Sequence, residues 1–495
     1  MNSINLISNL SAVLITFLIS SIFIIIGLYY SKKFSGLNNY LVANRSIETF
    51  SLTTSLIASA LGAWILFGPA SAATWGGIGA VLGYTLGTAF PFLILVYLGP
   101  KFRIEFPKAK TFIEVIRLKF NTKIYKLILF ISIFYMTIFL IAEITAVSIL
   151  IKYISNTSLW ITALIVILSS LTYTLYGGLR TSIFTDKFQF IIFLLLLVIS
   201  FTYLFFNYSN FSFNFIAENK PMLMSHNYIA NYTAGFTFFI AVAATNLFHQ
   251  GNWQRVYAAK SNKVLNTSLM LSFIIVIPIV FLMGFSGLIS ISENSKVIPD
   301  LAFFSLLLKD NNLFFSILII LLAISLTISS IDTLINAISS LIIVDGNNII
   351  KSNTNFKSIS KIIIILLSLI TFVIASKGLS ILYLFLLADM FCCSAVITIF
   401  YNFYIKKTEN KNIYIPIIIG LIGGLMFFPS PDFSKSFLVG FIYSKEVFPN
   451  IVSNSLLFFS FLFATFLPII FLIININKIS NYVNIKYKTI LGFKL

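Results

Sequence analysis

The chain predicts an all-α polytopic membrane protein, and three observations lead there. First, its 495 residues are 59% hydrophobic and only 10% charged, with a mean hydropathy of +0.99. So little polar surface cannot cover a core in water, so the solvent must be lipid. Second, apolar runs near the ~20 residues needed to cross ~30 Å of hydrocarbon recur along the whole length. Third, the basic residues between those runs fall in alternate loops.

The runs occupy residues 4–30, 50–75, 77–98, 127–151, 159–176, 188–206, 234–248, 265–289, 313–344, 362–375, 381–404, 413–428 and 456–474. The first lacks a basic start and exceeds the roughly 7–15-residue apolar core of a cleaved leader, so a retained helix is expected. The second carries small residues and Gly68-Pro69 at membrane depth, a signal for a broken helix. The third to sixth are continuous and apolar. The seventh and tenth are short and are expected to extend into their flanks. The eighth, ninth and eleventh are long, and the last two close the chain before a basic tail. Thirteen spans in one membrane domain, 1–495, is the predicted organisation.

Counting charges orients the chain. With the N-terminus outside, the inner loops hold 26 of the 33 lysines and arginines, eight of them between Lys101 and Lys126. This is the bias of the positive-inside rule, and it places the C-terminus in the cytoplasm. The Ile-, Asn- and Lys-rich composition fits an AT-rich genome, so the expected location is a bacterial cytoplasmic (inner) membrane. A net charge of +18 raises nucleic acid as a partner. The cations sit in short loops without a base-stacking face, which argues against that. Cys392 and Cys393 are adjacent within an apolar run, so they offer neither a disulfide framework nor a spaced metal site.

Polar residues inside the runs carry the functional signal. Glu143, Asp332 and Asp389 lie well within apolar segments, where an ionised carboxylate costs roughly 2.5–3.5 kcal/mol on insertion scales. Each is either a functional group or interhelical glue. The break signal Ala58-Ser59-Ala60-Leu61-Gly62-Ala63-Trp64 frees backbone carbonyls for a cation, unless it is a simple kink. In the ninth run, Ser329 and Ser330 offer adjacent hydroxyls, suited to a hard cation. At the end of the seventh run, Asn246, His249 and Gln250 would share one face of a continuing helix, where a solute can hydrogen-bond. His249 would titrate near neutral pH or cap a neighbouring carbonyl.

Several runs together resemble the sodium:solute symporter family, which includes the bacterial proline and galactose symporters. The residues are Gly27-Leu28-Tyr29-Tyr30-Ser31, Tyr40-Leu41-Val42-Ala43-Asn44-Arg45-Ser46, Tyr176-Gly177-Gly178-Leu179-Arg180 with Thr185-Asp186 and Gln189, Trp253 to Ser261, and the serine pair. The resemblance implies a leucine-transporter-type core of two inverted five-helix repeats, 50–206 and 234–404. The first helix and residues 405–495 would be accessory. It further implies a sodium site built from the carbonyls of Ala58, Leu61 and Leu326 and the hydroxyls of Ser329 and Ser330. Asp186 matches a position near a possible second cation or the inner exit path. An aspartate of the proline symporter's second helix is replaced here by Ala60, so the substrate is not transferred.

The expected function is secondary active, sodium-coupled symport of a small organic solute, such as an amino acid, amine or sugar. The solute is expected beside Gly62, Trp64, Asn246, His249, Gln250 and Asp389, with Glu143 and Asp332 as coupling candidates. A proton-coupled or urea/polyamine-type carrier of the same fold, or a transporter-like sensor, are the alternatives. No nucleophile or acid–base constellation suggests an enzyme.

Overall fold

The structure is a computed structural model that describes residues 4–208, 216, 218, 220–224, 228–294, 296–346, 348, 356–404, 411–431, 433, 435–436, 438 and 455–491. Each of the thirteen predicted runs is helical over most of its length, and the second is broken at residues 61–63. The main helices are α1 (Asn9–Ser31), α2 (Thr49–Ala60), α3 (Trp64–Glu105), α4 (Thr122–Ser155), α5 (Leu159–Asn207), α6 (Ile229–Phe248), α7 (Gln250–Ala258) and α8 (Asn262–Glu293). They continue with α9 (Leu313–Leu341), α10 (Phe356–Ala375), α11 (Ile381–Tyr404), α12 (Lys411–Phe427) and α13 (Leu456–Leu491). Nine helices among the described residues are each long and apolar enough to span a membrane.

Two of these are double. At 42 and 49 residues, α3 and α5 exceed any bilayer, and each bends sharply at a glycine: Gly77 at φ +58°, ψ −152° and Gly178 at φ +59°, ψ −155°. Only glycine adopts these angles without strain. At Gly178 a Cβ would also strike the ring of Tyr40. Each bend ends one span and starts the next.

The interior is filled by Ala, Ile, Leu and Phe, while residues such as Leu10, Phe17, Ile25, Phe205 and Leu369 are exposed on the outer faces of α1, α5 and α10. Bare apolar side chains in such numbers are tolerated only against lipid. Helix α3 packs chiefly on α8 and α6, α5 on α1 and α9, and α9 also on α4. The ninth span is therefore the most enclosed, and almost every residue from Leu318 to Leu341 is buried. The short helix Phe112–Lys119 joins the first half of the core to the second through Gln250 and Asp345.

Both spans that open the predicted repeats are broken at mid-length. Helix α2 stops at Ala60 and α3 begins at Trp64, with Leu61 at φ −105°, ψ 89°. Helix α6 stops at Phe248 and α7 begins at Gln250, with His249 extended at φ −65°, ψ 115°. A shared interruption at corresponding places is the mark of an inverted-repeat transporter.

Candidate ion and solute site

The first break leaves specific backbone groups open. Leu61 N–H still donates to Ile57 O at 2.9 Å, but Ile65 N–H turns back to Gly62 O at 3.2 Å and Leu66 N–H to Ala63 O at 3.0 Å. Among the described residues, no backbone donor from the break reaches the carbonyls of Ala58 and Leu61. Glu143 reaches across from α4, and its Oε2 accepts from Ala63 N–H at 2.7 Å. A carboxylate at the start of a half-helix satisfies orphan amides and opposes the positive end of the dipole. Glu143 thus has a capping task that its position in the sequence did not reveal.

Helix α9 lies directly against this break. A Cβ at Gly62 would collide with Glu143 Oε1 and come within 2.5 Å of Ser330 Oγ, so only glycine fits between the two side chains. Ser330 Oγ donates to Leu326 O at 3.2 Å, and Ser329 Oγ donates to Asp186 Oδ1 at 2.7 Å. A hydroxyl whose proton is already given away keeps its lone pairs for a cation. Carbonyl and hydroxyl oxygens of this kind are the donors that a hard monovalent cation takes.

Asp186 is not an open cation site. Its Oδ2 accepts from Arg255 Nη2 at 2.9 Å and from Ser55 Oγ at 2.5 Å, and both charged side chains are fully buried. Arg255 also donates to Ser55 O, Gly251 O and Thr333 Oγ1. A guanidinium of the protein itself thus stands against this carboxylate. The sequence placed Arg255 only within a family motif, because nothing local to either residue predicts the pairing.

The second break corrects the reading of the polar run after Thr245. Since the helix stops at His249, Asn246, His249 and Gln250 do not share a helical face. His249 Nδ1 accepts from Gly251 N–H at 3.1 Å and caps α7; a neutral ring then carries its proton on Nε2. Asn252 Nδ2 and Trp253 Nε1 donate to the carbonyls of Asn246 and Leu247 that the break frees. Gln250 leaves the solute site altogether. Its Oε1 accepts from Phe112 N–H at 2.9 Å and its Nε2 donates to Ser340 Oγ at 3.3 Å, tying the short helix Phe112–Lys119 to α9. Asp332 also lies away from the cavity, where it accepts from Tyr173 OH at 2.7 Å, Ser182 Oγ at 2.8 Å and Thr185 Oγ1 at 3.3 Å.

The remaining expected residues converge on one cavity. Gly62, Trp64, Glu143, Asn246, His249, Ser330 and Asp389 line a cavity between the two breaks and α11. Trp64, Phe67, Tyr84, Phe139 and Phe385 supply aromatic walls. The Trp64 and Tyr84 rings stack at 5.8 Å, and Tyr84 stacks on Phe238 at 4.2 Å. Asp300, which the sequence reading passed over because it lies outside the apolar runs, joins the lining and accepts from Ser71 Oγ at 3.0 Å. Asp300 and Leu382 also line a neighbouring vestibule with Trp75, Thr237 and Ser455. Among the described residues, neither lining includes a lysine or arginine. The vestibule lies toward the face with few basic loop residues. On the opposite face, Tyr40 OH meets Ser339 Oγ at 3.0 Å, and Asp345 accepts from Thr111 Oγ1 and Tyr125 OH.

Comparison with known proteins agrees with this architecture. The sodium:solute symporter family matches residues 40–420. A spermidine transporter, DUR31 of Candida albicans, is 24% identical over 378 residues, covering 76% of this chain and 71% of the relative. Among solved structures, a Na+-coupled sialic acid symporter in a substrate-bound outward-open state superposes with a TM-score of 0.72 at 16% identity, over 93% of this chain and 96% of the other. Mhp1, a nucleobase-cation-symport-1 family transporter in a closed conformation, gives a TM-score of 0.54 at 14% identity, over 86% of this chain and 93% of the other.

Proposed function

Because the chain belongs to the sodium:solute symporter family, we propose that it couples sodium entry to uptake of a small organic cation by alternating access in a bacterial cytoplasmic membrane. The sodium ion sits between the α2–α3 break and α9, held by the carbonyls of Ala58, Leu61 and Leu326 and the hydroxyls of Ser329 and Ser330. The solute binds one layer further out, against Trp64, Asn246, His249 and Asp389. Ser330 lines the solute cavity as well as the ion site, so both ligands favour the same arrangement of α3 and α9. Coupling requires such differential affinity for one conformer. With the N-terminus outside, the vestibule faces the exterior.

The cationic character of the solute rests on one observation: three carboxylates, Glu143, Asp300 and Asp389, line a cavity that has aromatic walls and, among the described residues, no lysine or arginine. Carboxylates and aromatic faces together recognise ammonium groups. The spermidine transporter among the relatives accords with this class. The test is thermal stabilisation of the purified protein by amines, amino acids, sugars, urea and carboxylates, with and without sodium. Asp389→Asn keeps the shape and removes the charge, so amines should lose affinity at least tenfold while neutral solutes of similar size change little. Equal effects on both would return Asp389 to a structural role. Uptake that follows a pH gradient and ignores sodium would favour the proton-coupled alternative.

A further inference from the structure

We propose that the cavity selects a linear diamine or longer polyamine by gripping two of its ammonium groups separately, one at Asp389 and one at Asp300. The inference rests on the organic-cation reading above and adds the length and valence of the ligand.

The two carboxylates line one cavity from different elements. Asp389 belongs to α11 and is 6% exposed, on the inner wall with Thr245. Asp300 belongs to the turn Pro299–Leu301, which leads into the short helix Ala302–Leu307, and it borders both the cavity and the outer vestibule. Ser71 Oγ donates to its Oδ1, and no other hydrogen bond to this carboxylate is formed among the described residues. Glu143, the third acid, accepts from the backbone at Ala63 N–H, whereas Asp389 is hydrogen-bonded to Thr245 and Asp300 to Ser71, neutral hydroxyls that leave each carboxylate without a counter-charge.

The walls that accompany the two acids are aromatic and aliphatic: Trp64, Phe67, Tyr84, Leu382 and Phe385. This surface suits methylene groups, while Ser59, Thr245, Asn246, His249 and Ser330 supply the polar part of the lining. A monocation bound at one acid leaves the other without a counter-charge in a low-dielectric site, which is costly. A ligand with a charge at each end and an apolar spacer compensates both. Since Asp300 is carried by a connecting segment and Asp389 by a core helix, a bridging dication also ties that segment to the core.

The experiment uses the full-length protein in nanodiscs at saturating sodium. Thermal stabilisation is titrated with butylamine, 1,3-diaminopropane, 1,4-diaminobutane, 1,5-diaminopentane and spermidine. The expected result is at least tenfold tighter binding of the best diamine than of butylamine, with affinity peaking at one length. In Asp300→Asn the diamine-to-monoamine ratio should fall toward one. Equal affinity for monoamine and diamines in the unaltered protein overturns the proposal while leaving the organic-cation reading intact, as does a ratio that Asp300→Asn does not change. Binding of neutral solutes with no response to any amine overturns both. If Asp300→Asn fails to fold, the length series on the unaltered protein decides by itself.

Discussion

Arg255 Nη2 lies 2.9 Å from Asp186 Oδ2, and neither side chain retains any contact with solvent. The pair joins α7 to α5, while Ser329 on the other carboxylate oxygen extends the link to α9 and the proposed ion site. Hydrogen bonds thus connect Ser329 to the segment that follows the second break. Replacing Arg255 with Met strands a buried carboxylate and is expected to destabilise the protein by about 3–5 kcal/mol. Thermal unfolding in detergent measures it. The double variant Arg255→Met, Asp186→Asn should recover much of the loss, and failure to recover would mean that packing of the guanidinium stem, not charge, dominates.

Sodium affinity tests the ion site itself. Ser330→Ala removes a hydroxyl beside Gly62 and is expected to raise the sodium concentration for half-maximal uptake roughly tenfold, the effect of about 1.4 kcal/mol. Ser330→Thr keeps the oxygen and should be milder. Unaltered sodium dependence in both Ser329→Ala and Ser330→Ala would move the site elsewhere.

Glu143 has two separable properties, its cap and its charge. Glu143→Gln retains an acceptor for Ala63 N–H, so stability should stay within about 1 kcal/mol, whereas Glu143→Ala removes the cap and should cost about 1–2 kcal/mol. Transport assays on the Gln variant then isolate the charge. Full activity would limit Glu143 to holding the break.

Gln250→Ala should act on stability, not on solute affinity. It leaves the Phe112 amide buried without a partner, at about 1–3 kcal/mol. Solute titration of the folded variant checks this. A large loss of affinity at normal stability would return Gln250 to the cavity.

Topology is checked directly by reporters. One fused after Leu495 should read as cytoplasmic and one between Phe428 and Leu456 as external. Both on the same side would end the thirteen-span arrangement.

The sequence alone determined the class, the spans and the first break. Apolar runs of membrane length admit few structures other than helices, because lipid offers backbone groups no partners. The small residues from Ala58 to Ala63 likewise marked the interruption that the structure places after Ala60. Ser329 and Ser330 stood out through the family resemblance, since the same helix carries a second pair at Ser339 and Ser340. What the sequence left open was which buried polar groups satisfy one another. Arg255 and Asp186 are 69 positions apart, Gln250 and Phe112 are 138 apart, and Glu143 caps an amide 80 residues before it. Such pairings depend on how helices cross. The tertiary structure therefore assigned Gln250, Asp332 and Asp186 to structural bonds and brought Asp300 from a loop to the cavity, since a buried polar group must find a partner and only packing decides which one is within reach.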